Sequence, residues 1–439
     1  MMHWPQLLST QRFSSSSDQQ DIRSAFQRDY DRIIFSSPFR RLQNKTQVFP
    51  LPGSVFVHNR LTHSLEVASV GRSIARIVSR ELIQKSPGLA PTALSEIDTI
   101  VSSACLAHDL GNPPFGHSGE KAISSYFEEG AGKMLKDQVP ANQWSDLINF
   151  EGNANAFRTL THQFSGRRKG GFSLTYATLA SLVKYPYPSF NKGDRKKYGI
   201  FNSEIPGFEI IAQSCGLIKR SPAEPVYSRH PLVYLVEAAD DISYLIMDME
   251  DAHKLRILST EQTETMLSAF HDQDDEAFAN YKDRIYQEVT DTNERIAFLR
   301  ATAINRLVKA VSSLFVAHEE EILAGTFKGS LVDYLDEDLK NAMDASRKLS
   351  VKAIYNHPDV VKIELTGFHV LGTLMEEFSQ AILAPETNYH RKLQSLLPAQ
   401  FSPQKTDTYT KLQSVLDFIS GMTDLYAMQL YKDLRGIES

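Results

Sequence analysis

Apolar residues recur at helical spacing along most of this chain, and this periodicity constrains the fold more than any other feature. Alternating apolar and polar stretches of the strand type are scarce. The exception lies between Lys45 and His58, where KTQVF and SVFVH flank a PLPG segment and predict a short β-hairpin. We therefore predict a mostly α fold with a short N-terminal β-hairpin and a helical C-terminal extension.

The composition excludes several classes of protein. The 439 residues, 42% of them hydrophobic, are enough to bury a large core, and a net charge of −6 argues against a surface built throughout for nucleic acid or anionic lipid. Only Cys105 and Cys215 occur, which excludes a disulfide framework and a thiolate zinc site. We find no secretory signal and no run of the about 18 apolar residues that a membrane span requires. We predict a cytoplasmic protein with no membrane partner.

The domain organisation follows from breaks in the helical pattern. Residues 1–20 include the serine run 14–17, and we predict a flexible N-terminal tail there. The prolines near residues 222–225, 358, 385 and 398–403 are typical of loops within a helical body. We therefore predict one large helical domain over residues 21–439.

Four residues from distant parts of the chain are candidate ligands for one divalent metal ion: His63, His108, Asp109 and Asp240. We expect His63 in the first turn of a helix and the His-Asp pair at the end of another. Asp240 lies in a helix that is apolar around much of its circumference, where an unpaired charge is costly. A mixed nitrogen and oxygen set suits magnesium, manganese, iron, nickel or zinc with open positions for water and substrate.

A simpler interpretation of the same residues stays open. In it, His63 packs in the core, the His108-Asp109 pair caps its helix, and Asp240 pairs with an arginine such as Arg229. Residue types and spacing alone do not decide between this interpretation and a metal site.

A second constellation lies in the segment HDLGNPPFGHSGE. His117 and Glu120 stand three residues apart at a predicted helix start, a spacing that suits a catalytic dyad in which the carboxylate orients the imidazole. The alternative is that Glu120 only interacts with the helix dipole and His117 caps the turn.

Seven motifs in this chain resemble, in order, those of the deoxyguanosine triphosphate triphosphohydrolases (dGTPases) of the HD phosphohydrolase superfamily. They are RDYDRIIFSSPFRRLQNKTQVFPL, HNRLTHSLEVA, HDLGNPPFGHSGE, NFEGNANAFR, LVKYP, EAADDISYLIMDMED and DFISGMTD, from Arg28 to Asp424. The resemblance implies an HD-domain helical fold, with an HD core at residues 55–255 and a helical C-terminal part at residues 256–439. It also implies a homo-oligomer, with a hexamer as the expected state.

The resemblance implies a role for each matched position. His63, His108, Asp109 and Asp240 match the metal ligands, with magnesium or manganese as the first expectation, and His117 and Glu120 match the catalytic histidine and its acidic partner. The positions that match substrate-binding residues are Arg60 at the α-phosphate, Gln47 at the 3′-hydroxyl, Tyr244 and Asp248 at the sugar, and Asn153, Lys184, Tyr185 and Lys197 near the triphosphate.

The implied reaction is hydrolysis of dGTP, or of other dNTPs, to deoxynucleoside and inorganic triphosphate. One alternative is another HD phosphohydrolase, acting on a nucleoside monophosphate, a cyclic dinucleotide or an alarmone. Such an enzyme has no reason to keep Arg60, Gln47, Tyr244 and Lys184 together. The other alternative is a nucleotide-sensing or single-stranded-DNA-binding module with vestigial activity. The basic clusters at residues 167–169 and 192–197 motivate it, since they can contact the phosphates of DNA or of an effector dNTP.

Overall fold

The computed structural model describes residues 1–14, 21–49, 57–85, 91–272, 274–403 and 405–437. These residues are mostly helical, which confirms the predicted fold class. The α-helices are α1 (Trp4–Leu7), α2 (Ala25–Ile34), α3 (Ser37–Arg41), α4 (Arg60–Lys85), α5 (Pro91–Leu94), α6 (Ile97–Ala107), α7 (Gly116–Glu128), α8 (Ala141–Ile148), α9 (Gly152–Thr161), α10 (Tyr176–Leu182), α11 (Ile205–Ser214), α12 (Val233–Lys254), α13 (Thr260–Ser268), α14 (Glu276–Glu288), α15 (Thr292–Ala317), α16 (Glu319–Ala324), α17 (Glu337–Leu349), α18 (Pro358–Leu383), α19 (Asn388–Ser395), α20 (Thr408–Ser420) and α21 (Asp424–Arg435).

Shorter helical segments connect several of these helices. Segments of 3-10 helix lie at Leu42–Asn44, Ala131–Gln138, Ser189–Asn191, Asn202–Glu204, Leu331–Tyr334 and Ala399–Phe401, and a π-helical segment lies at Ser350–Tyr355. Within the described ranges, no helix is both long enough and apolar enough to cross a membrane.

The predicted N-terminal β-hairpin is not supported. The part of the chain that the structure describes holds no β-strand, only isolated bridges, one of which pairs Thr46 with Asn59. Residues 50–56, with the predicted turn and most of the second strand, lie outside the described residues. The first half is anchored by burial of Val48 and Phe49 in the core rather than by a ladder of hydrogen bonds. The apolar residues of KTQVF therefore pack in the core. The alternating pattern alone did not distinguish such packing from the pairing of strands.

The N-terminal segment is packed against the helical body. Trp4 and Leu7 of α1 are buried, and the Trp4 indole nitrogen donates a hydrogen bond to Glu319 Oε1 at 2.9 Å. The backbone nitrogen of Met2 donates to the carbonyl oxygen of Leu323 at 2.8 Å. The prediction of a flexible tail is therefore wrong for residues 1–14, while residues 15–20 lie outside the described residues.

We expect Trp4→Ala to lower the free energy of unfolding by about 3 kcal/mol, because it empties a buried site of indole size and removes a donor to Glu319. Urea denaturation followed by circular dichroism measures the change. The control is Phe35→Ala, since 75% of Phe35 is exposed. Equal stability of the two variants would contradict the packed N-terminus.

Helices α4, α6 and α12 meet at a close crossing, and this crossing positions the candidate site. Gly71 of α4 lies there: a Cβ atom at this position would be 2.7 Å from Cys105 Sγ of α6 and 3.4 Å from Cβ of Ala239 in α12. Because glycine has no side chain, the three helix axes can approach closely. The crossing brings the first turn of α4 beside the end of α6 and the middle of α12.

A second buried cluster joins the N-terminal half to the C-terminal helices. It contains Ile123 and Phe127 of α7, Leu374 and Phe378 of α18, and Ile419 of α20. The helix that begins at Gly116 thus packs on the C-terminal part of the chain. The division into an HD core at residues 55–255 and a C-terminal part at residues 256–439 stays a prediction, as does the single domain.

Candidate active site

The candidate ligands His63, His108, Asp109 and Asp240 converge at the crossing of α4, α6 and α12. Potential ligand atoms of His63, His108 and Asp109 lie within 4.8 Å of one another. Asp240 Oδ1 lies 3.2 Å from His63 Nε2 and 3.5 Å from His108 Nε2. His108 Nδ1 donates a hydrogen bond to the carbonyl oxygen of Cys105 at 2.6 Å, which fixes the ring and leaves Nε2 toward the carboxylates.

In this cluster, the charges of the carboxylates and of their cationic neighbours shift the pKa values of the ligand residues. Burial would raise the pKa of Asp109, but Arg60, His108 and His63 outweigh burial and lower it to about 2. The histidines likewise hold the pKa of Asp240 well below its ordinary value, against burial. Burial would lower the pKa of His108, but Asp109 and Asp240 raise it to about 9. A proton on the His108 imidazole thus balances the carboxylates here, a role that a divalent cation takes when it binds neutral imidazole.

These donors fit a divalent cation. Ligand atoms of His63, His108 and Asp109 cluster together, and Asp240 Oδ1 faces both imidazoles, so the four residues offer two nitrogen and two carboxylate donors of the kind that a divalent cation binds. The interpretation in which Asp240 pairs with Arg229 is wrong, because Arg229 Nη1 lies 2.9 Å from Glu237 Oε2 and Asp240 faces the two histidines.

His117 and Glu120 form a hydrogen-bonded pair at the start of α7. His117 Nδ1 lies 2.7 Å from Glu120 Oε2, and Glu120 Oε1 accepts a hydrogen bond from the backbone nitrogen of Gly152 at 2.7 Å. Burial would raise the pKa of Glu120, but the hydrogen bond and charge of His117 lower it. The carboxylate is therefore anchored, whereas 65% of the His117 side chain is exposed. A fixed acid that orients an accessible imidazole is the geometry that proton exchange requires.

One cleft collects these groups and almost every other predicted site residue. It is lined by His63, His108, Asp109, Asp240, His117, Glu120, Gln47, Arg60, Asn153, Lys184, Tyr185, Lys197 and Tyr244, together with Asn112, Glu151, Leu182, Val233, Val236 and Glu237.

Asp248 is the one predicted site residue that does not line this cleft. Its side chain is buried one turn beyond Tyr244 on α12, where it accepts a hydrogen bond from the Tyr355 hydroxyl at 2.7 Å. Burial raises the pKa of Asp248 to about 8. The ring of Tyr355 also lies 6.1 Å from the ring of Tyr244. Asp248 therefore reaches the cleft through Tyr355 and Tyr244.

Two buried polar atoms that belong to cleft residues have no partner among the described residues. They are Gln47 Oε1 and Arg60 Nε. The guanidinium of Arg60 is nevertheless held in place, since its Nη1 donates to Asp109 Oδ2 at 2.9 Å. A buried polar atom without a partner costs free energy, and a bound ligand or ordered water commonly supplies the missing hydrogen bond.

Lys184 brings positive charge to the cleft, but it is paired. Its Nζ lies 3.1 Å from Glu237 Oε1, and Glu237 also pairs with Arg229. Burial would lower the pKa of Lys184, but Glu237 outweighs burial and raises it, so the ammonium stays charged. Asn153 is likewise engaged, because its amide nitrogen donates to Glu151 Oε1 at 2.6 Å.

Three polar cleft residues were missed by the sequence analysis: Asn112, Glu151 and Glu237. Asn112 donates from its side-chain amide to Asp109 Oδ1. The sequence position of each of these residues could have indicated a place in the site. Glu237 is three residues before Asp240 and so shares its helix face, while Asn112 and Glu151 stand inside motifs already singled out.

The two basic clusters lie mostly away from the cleft. Arg167 donates to the side-chain oxygen of Gln400 at 2.8 Å, and the guanidinium of Arg195 lies 3.8 Å from the ring centre of Tyr187. Of the two clusters, only Lys197 lines the cleft. Binding of single-stranded DNA or of an effector dNTP by these clusters stays a prediction.

Comparisons with known proteins agree with this geometry. Residues 60–151 match the HD domain and residues 334–433 match a phosphohydrolase-associated domain. The chain is 41% identical to a deoxyguanosinetriphosphate triphosphohydrolase-like protein of Synechocystis sp., over 99% of this chain and 100% of that protein. It is 37% identical to a like-named protein of Pseudomonas aeruginosa, with 100% of both chains covered. A deoxyguanosinetriphosphate triphosphohydrolase of Yersinia enterocolitica is 31% identical, over 97% of this chain and 96% of that protein.

Proposed function

This chain belongs to the HD-domain phosphohydrolases, among the deoxyguanosinetriphosphate triphosphohydrolase-like proteins, and we propose that it hydrolyses a deoxynucleoside triphosphate. The proposed products are the deoxynucleoside and inorganic triphosphate, with dGTP as the first substrate. The observation that carries the proposal is the single cleft in which the metal-ligand set, the His117–Glu120 pair and the predicted phosphate and sugar residues meet. The unpartnered Gln47 Oε1 and Arg60 Nε support a polar ligand there.

At the α-phosphate, Arg60 is the principal protein group. Asp109 accepts a hydrogen bond from one nitrogen of its guanidinium, so the guanidinium is fixed before substrate binds. It can therefore stabilise negative charge that develops on the phosphate. His63, His108, Asp109 and Asp240 would hold a divalent cation, which would supply Lewis-acid chemistry toward a phosphate oxygen when bound.

His117 is the proposed proton-exchange group. Glu120 orients its imidazole through Nδ1, and the accessible ring exchanges a proton at the attacking water or at the departing 5′-oxygen. Lys184, Tyr185, Asn153 and Lys197 are assigned to the rest of the triphosphate. The triphosphate carries about four negative charges, so it competes with Glu237 for the ammonium of Lys184.

The sugar is assigned to Gln47, at the 3′-hydroxyl, and to Tyr244. The Tyr244 ring packs between His63 and Tyr355, with ring centres 6.1 Å away on each side, so it forms a stiff wall. Asp248 supports this wall through Tyr355. A stiff ring against C2′ leaves no room for a ribose hydroxyl, whereas a soft apolar wall rejects an added hydroxyl by only about 100-fold.

The test of the proposed function is product analysis. Purified protein is incubated with each dNTP and with Mg²⁺ or Mn²⁺, and the phosphate products are separated by ion exchange. We expect inorganic triphosphate and free deoxynucleoside in equal amounts. Release of pyrophosphate or of single phosphates alone would contradict the assigned bond, and would favour another HD phosphohydrolase reaction.

We expect Tyr244→Ala to reduce the preference for dGTP over GTP by about 100-fold or more, because removal of the ring opens space at C2′. Tyr244→Phe is the matched control, since it keeps the wall. The ratio of kcat/KM for the two nucleotides measures the effect. Unchanged discrimination in the alanine variant would remove Tyr244 from the sugar site.

Further expectations rest on the family. We propose magnesium or manganese as the metal, a homo-oligomeric assembly, with a hexamer as the first expectation, and a cytoplasmic location. Metal analysis of the purified protein tests the first, and light scattering of the full chain tests the second.

A further inference from the structure

We propose that Asp424, in the C-terminal part of the chain, is a positioning residue that holds two segments of the active site in register. The proposal rests on the proposed function. Asp424 Oδ1 accepts a hydrogen bond from the backbone nitrogen of Phe115 at 3.0 Å, and Oδ2 accepts one from the backbone nitrogen of Thr46 at 2.9 Å. The residue is 6% exposed, so both bonds are shielded from water.

The two backbone groups that Asp424 binds lie next to residues of the cleft. Thr46 directly precedes Gln47, whose unpartnered Oε1 is assigned to the sugar. Phe115 lies two residues before His117, at the turn that begins α7. One carboxylate therefore connects the segment of a binding residue with the segment of the proposed proton-exchange residue.

The turn at Phe115 needs support from outside. Phe115 has a φ of 61°, in the left-handed region that a bulky side chain rarely adopts. A Cβ atom on Gly116, the next residue, would lie 2.6 Å from Arg60 Nη2, so the turn also runs close against the α-phosphate residue. A conformation of this kind persists only where the surroundings hold it, and a charge-assisted hydrogen bond does so.

The carboxylate oxygens of Asp424 do not cap α21, the helix in which Asp424 lies. The cap of α21 is Thr423, whose hydroxyl oxygen accepts a hydrogen bond from the backbone nitrogen of Tyr426 at 3.2 Å. Both oxygens of Asp424 instead bind segments more than 300 positions earlier in the chain, at separations of 309 and 378 residues. A role in helix capping therefore does not account for this carboxylate.

The neighbouring residue Ser420 makes contacts of the same kind. Its carbonyl oxygen accepts a hydrogen bond from Lys45 Nζ at 2.7 Å, and Lys45 also donates to the carbonyl oxygen of Asn112. Its hydroxyl accepts from the side-chain amide of Asn155 at 3.0 Å, and that amide also donates to the carbonyl oxygen of Gly111 at 2.7 Å. The end of α20 and the start of α21 thus hold the loop at residues 110–115 through contacts that lie outside the lining of the cleft.

Asp424 does not line the cleft, so it acts through the residues that it positions. We expect Asp424→Asn, which keeps the shape but loses one acceptor, to lower kcat for triphosphate release by about 10–100-fold. Asp424→Ala, which loses both acceptors, is expected to lower it further. Bound metal per chain should stay unchanged, because Asp424 contacts none of the four candidate ligands.

The matched control is Thr423→Ala, which removes the cap of α21 but leaves both bonds of Asp424 in place. We expect this variant to keep the kcat of the unaltered protein. Hydrogen exchange of the peptides that contain Thr46 and Phe115, followed by mass spectrometry, gives a readout independent of catalysis. Exchange there should be faster in both Asp424 variants and unchanged in Thr423→Ala.

The outcomes separate this inference from the proposed function. If the unaltered protein releases triphosphate from no dNTP, the proposed function fails, and the exchange rates alone decide whether Asp424 positions the two segments. Unchanged exchange at both peptides in Asp424→Asn, or a kcat loss no larger than that of Thr423→Ala, would overturn the positioning role.

Discussion

His117→Ala is expected to lower kcat for triphosphate release by about 10²–10⁴-fold while leaving the metal and the fold intact. The reason is the division of contacts at the start of α7. Glu120 holds His117 through Nδ1 and is itself anchored by the backbone nitrogen of Gly152, whereas His117 contributes nothing to the metal-ligand set. Removal of an imidazole that is mostly exposed costs little stability.

The measurement pairs the kcat of the purified variant with its metal content by elemental analysis. His369→Ala is the control, because His369 is an exposed histidine on α18 outside the cleft. If His117→Ala lost metal together with activity, His117 would belong to the ligand set and the proposed proton exchange would be wrong.

Asp240→Ala is expected to lose both bound metal and activity, with turnover reduced on the order of 1,000-fold or more. Asp240 Oδ1 faces both candidate imidazole ligands, at 3.2 Å from His63 Nε2 and 3.5 Å from His108 Nε2. Its removal takes away one ligand atom and one negative charge from the cluster. Both losses weaken binding of a divalent cation.

The control is Asp241→Ala, since Asp241 is the next residue of α12 and does not line the cleft. Isothermal titration of the metal-free variants with Mn²⁺ compares their affinities directly. An Asp240→Ala protein that bound Mn²⁺ as tightly as Asp241→Ala would exclude Asp240 from the ligand set. Together, the His117 and Asp240 variants test whether metal binding and proton exchange are separate functions of the cleft.

Much of the candidate site could be predicted because its chemistry is carried by residue type and local position. His63 was expected in a first helical turn and His108-Asp109 at a helix end, and α4 and α6 place them so. Helix starts and ends depend on nearby residues, such as Asn59, whose side-chain oxygen accepts a hydrogen bond from the backbone nitrogen of Thr62 at 3.0 Å. That the candidate ligands meet depends on the close packing of α4, α6 and α12, which no local pattern encodes.

The packing of the N-terminal segment could not be predicted for the same reason. Trp4 is buried and donates a hydrogen bond to Glu319, more than 300 residues later, so no local pattern near Trp4 shows that this segment is packed. Asp248 was assigned to the sugar by resemblance, and that role stays a prediction. The sequence did not show that its carboxylate lies outside the lining of the cleft, because this depends on Tyr355, more than 100 residues later, which donates a hydrogen bond to it.

The sequence by itself determined that this protein is helical and which side chains are available for phosphate, sugar and metal chemistry. Those properties follow from hydrophobic periodicity and from functional groups, which are present before the chain folds. Only the tertiary structure decided how the groups are held: Glu120 anchored by Gly152, Lys184 paired with Glu237, and Asp424 bound behind the loop that leads to His117. Each of these contacts joins segments that are distant in sequence, so each depends on the packing of whole helices and on the burial that makes its hydrogen bonds and ion pairs strong.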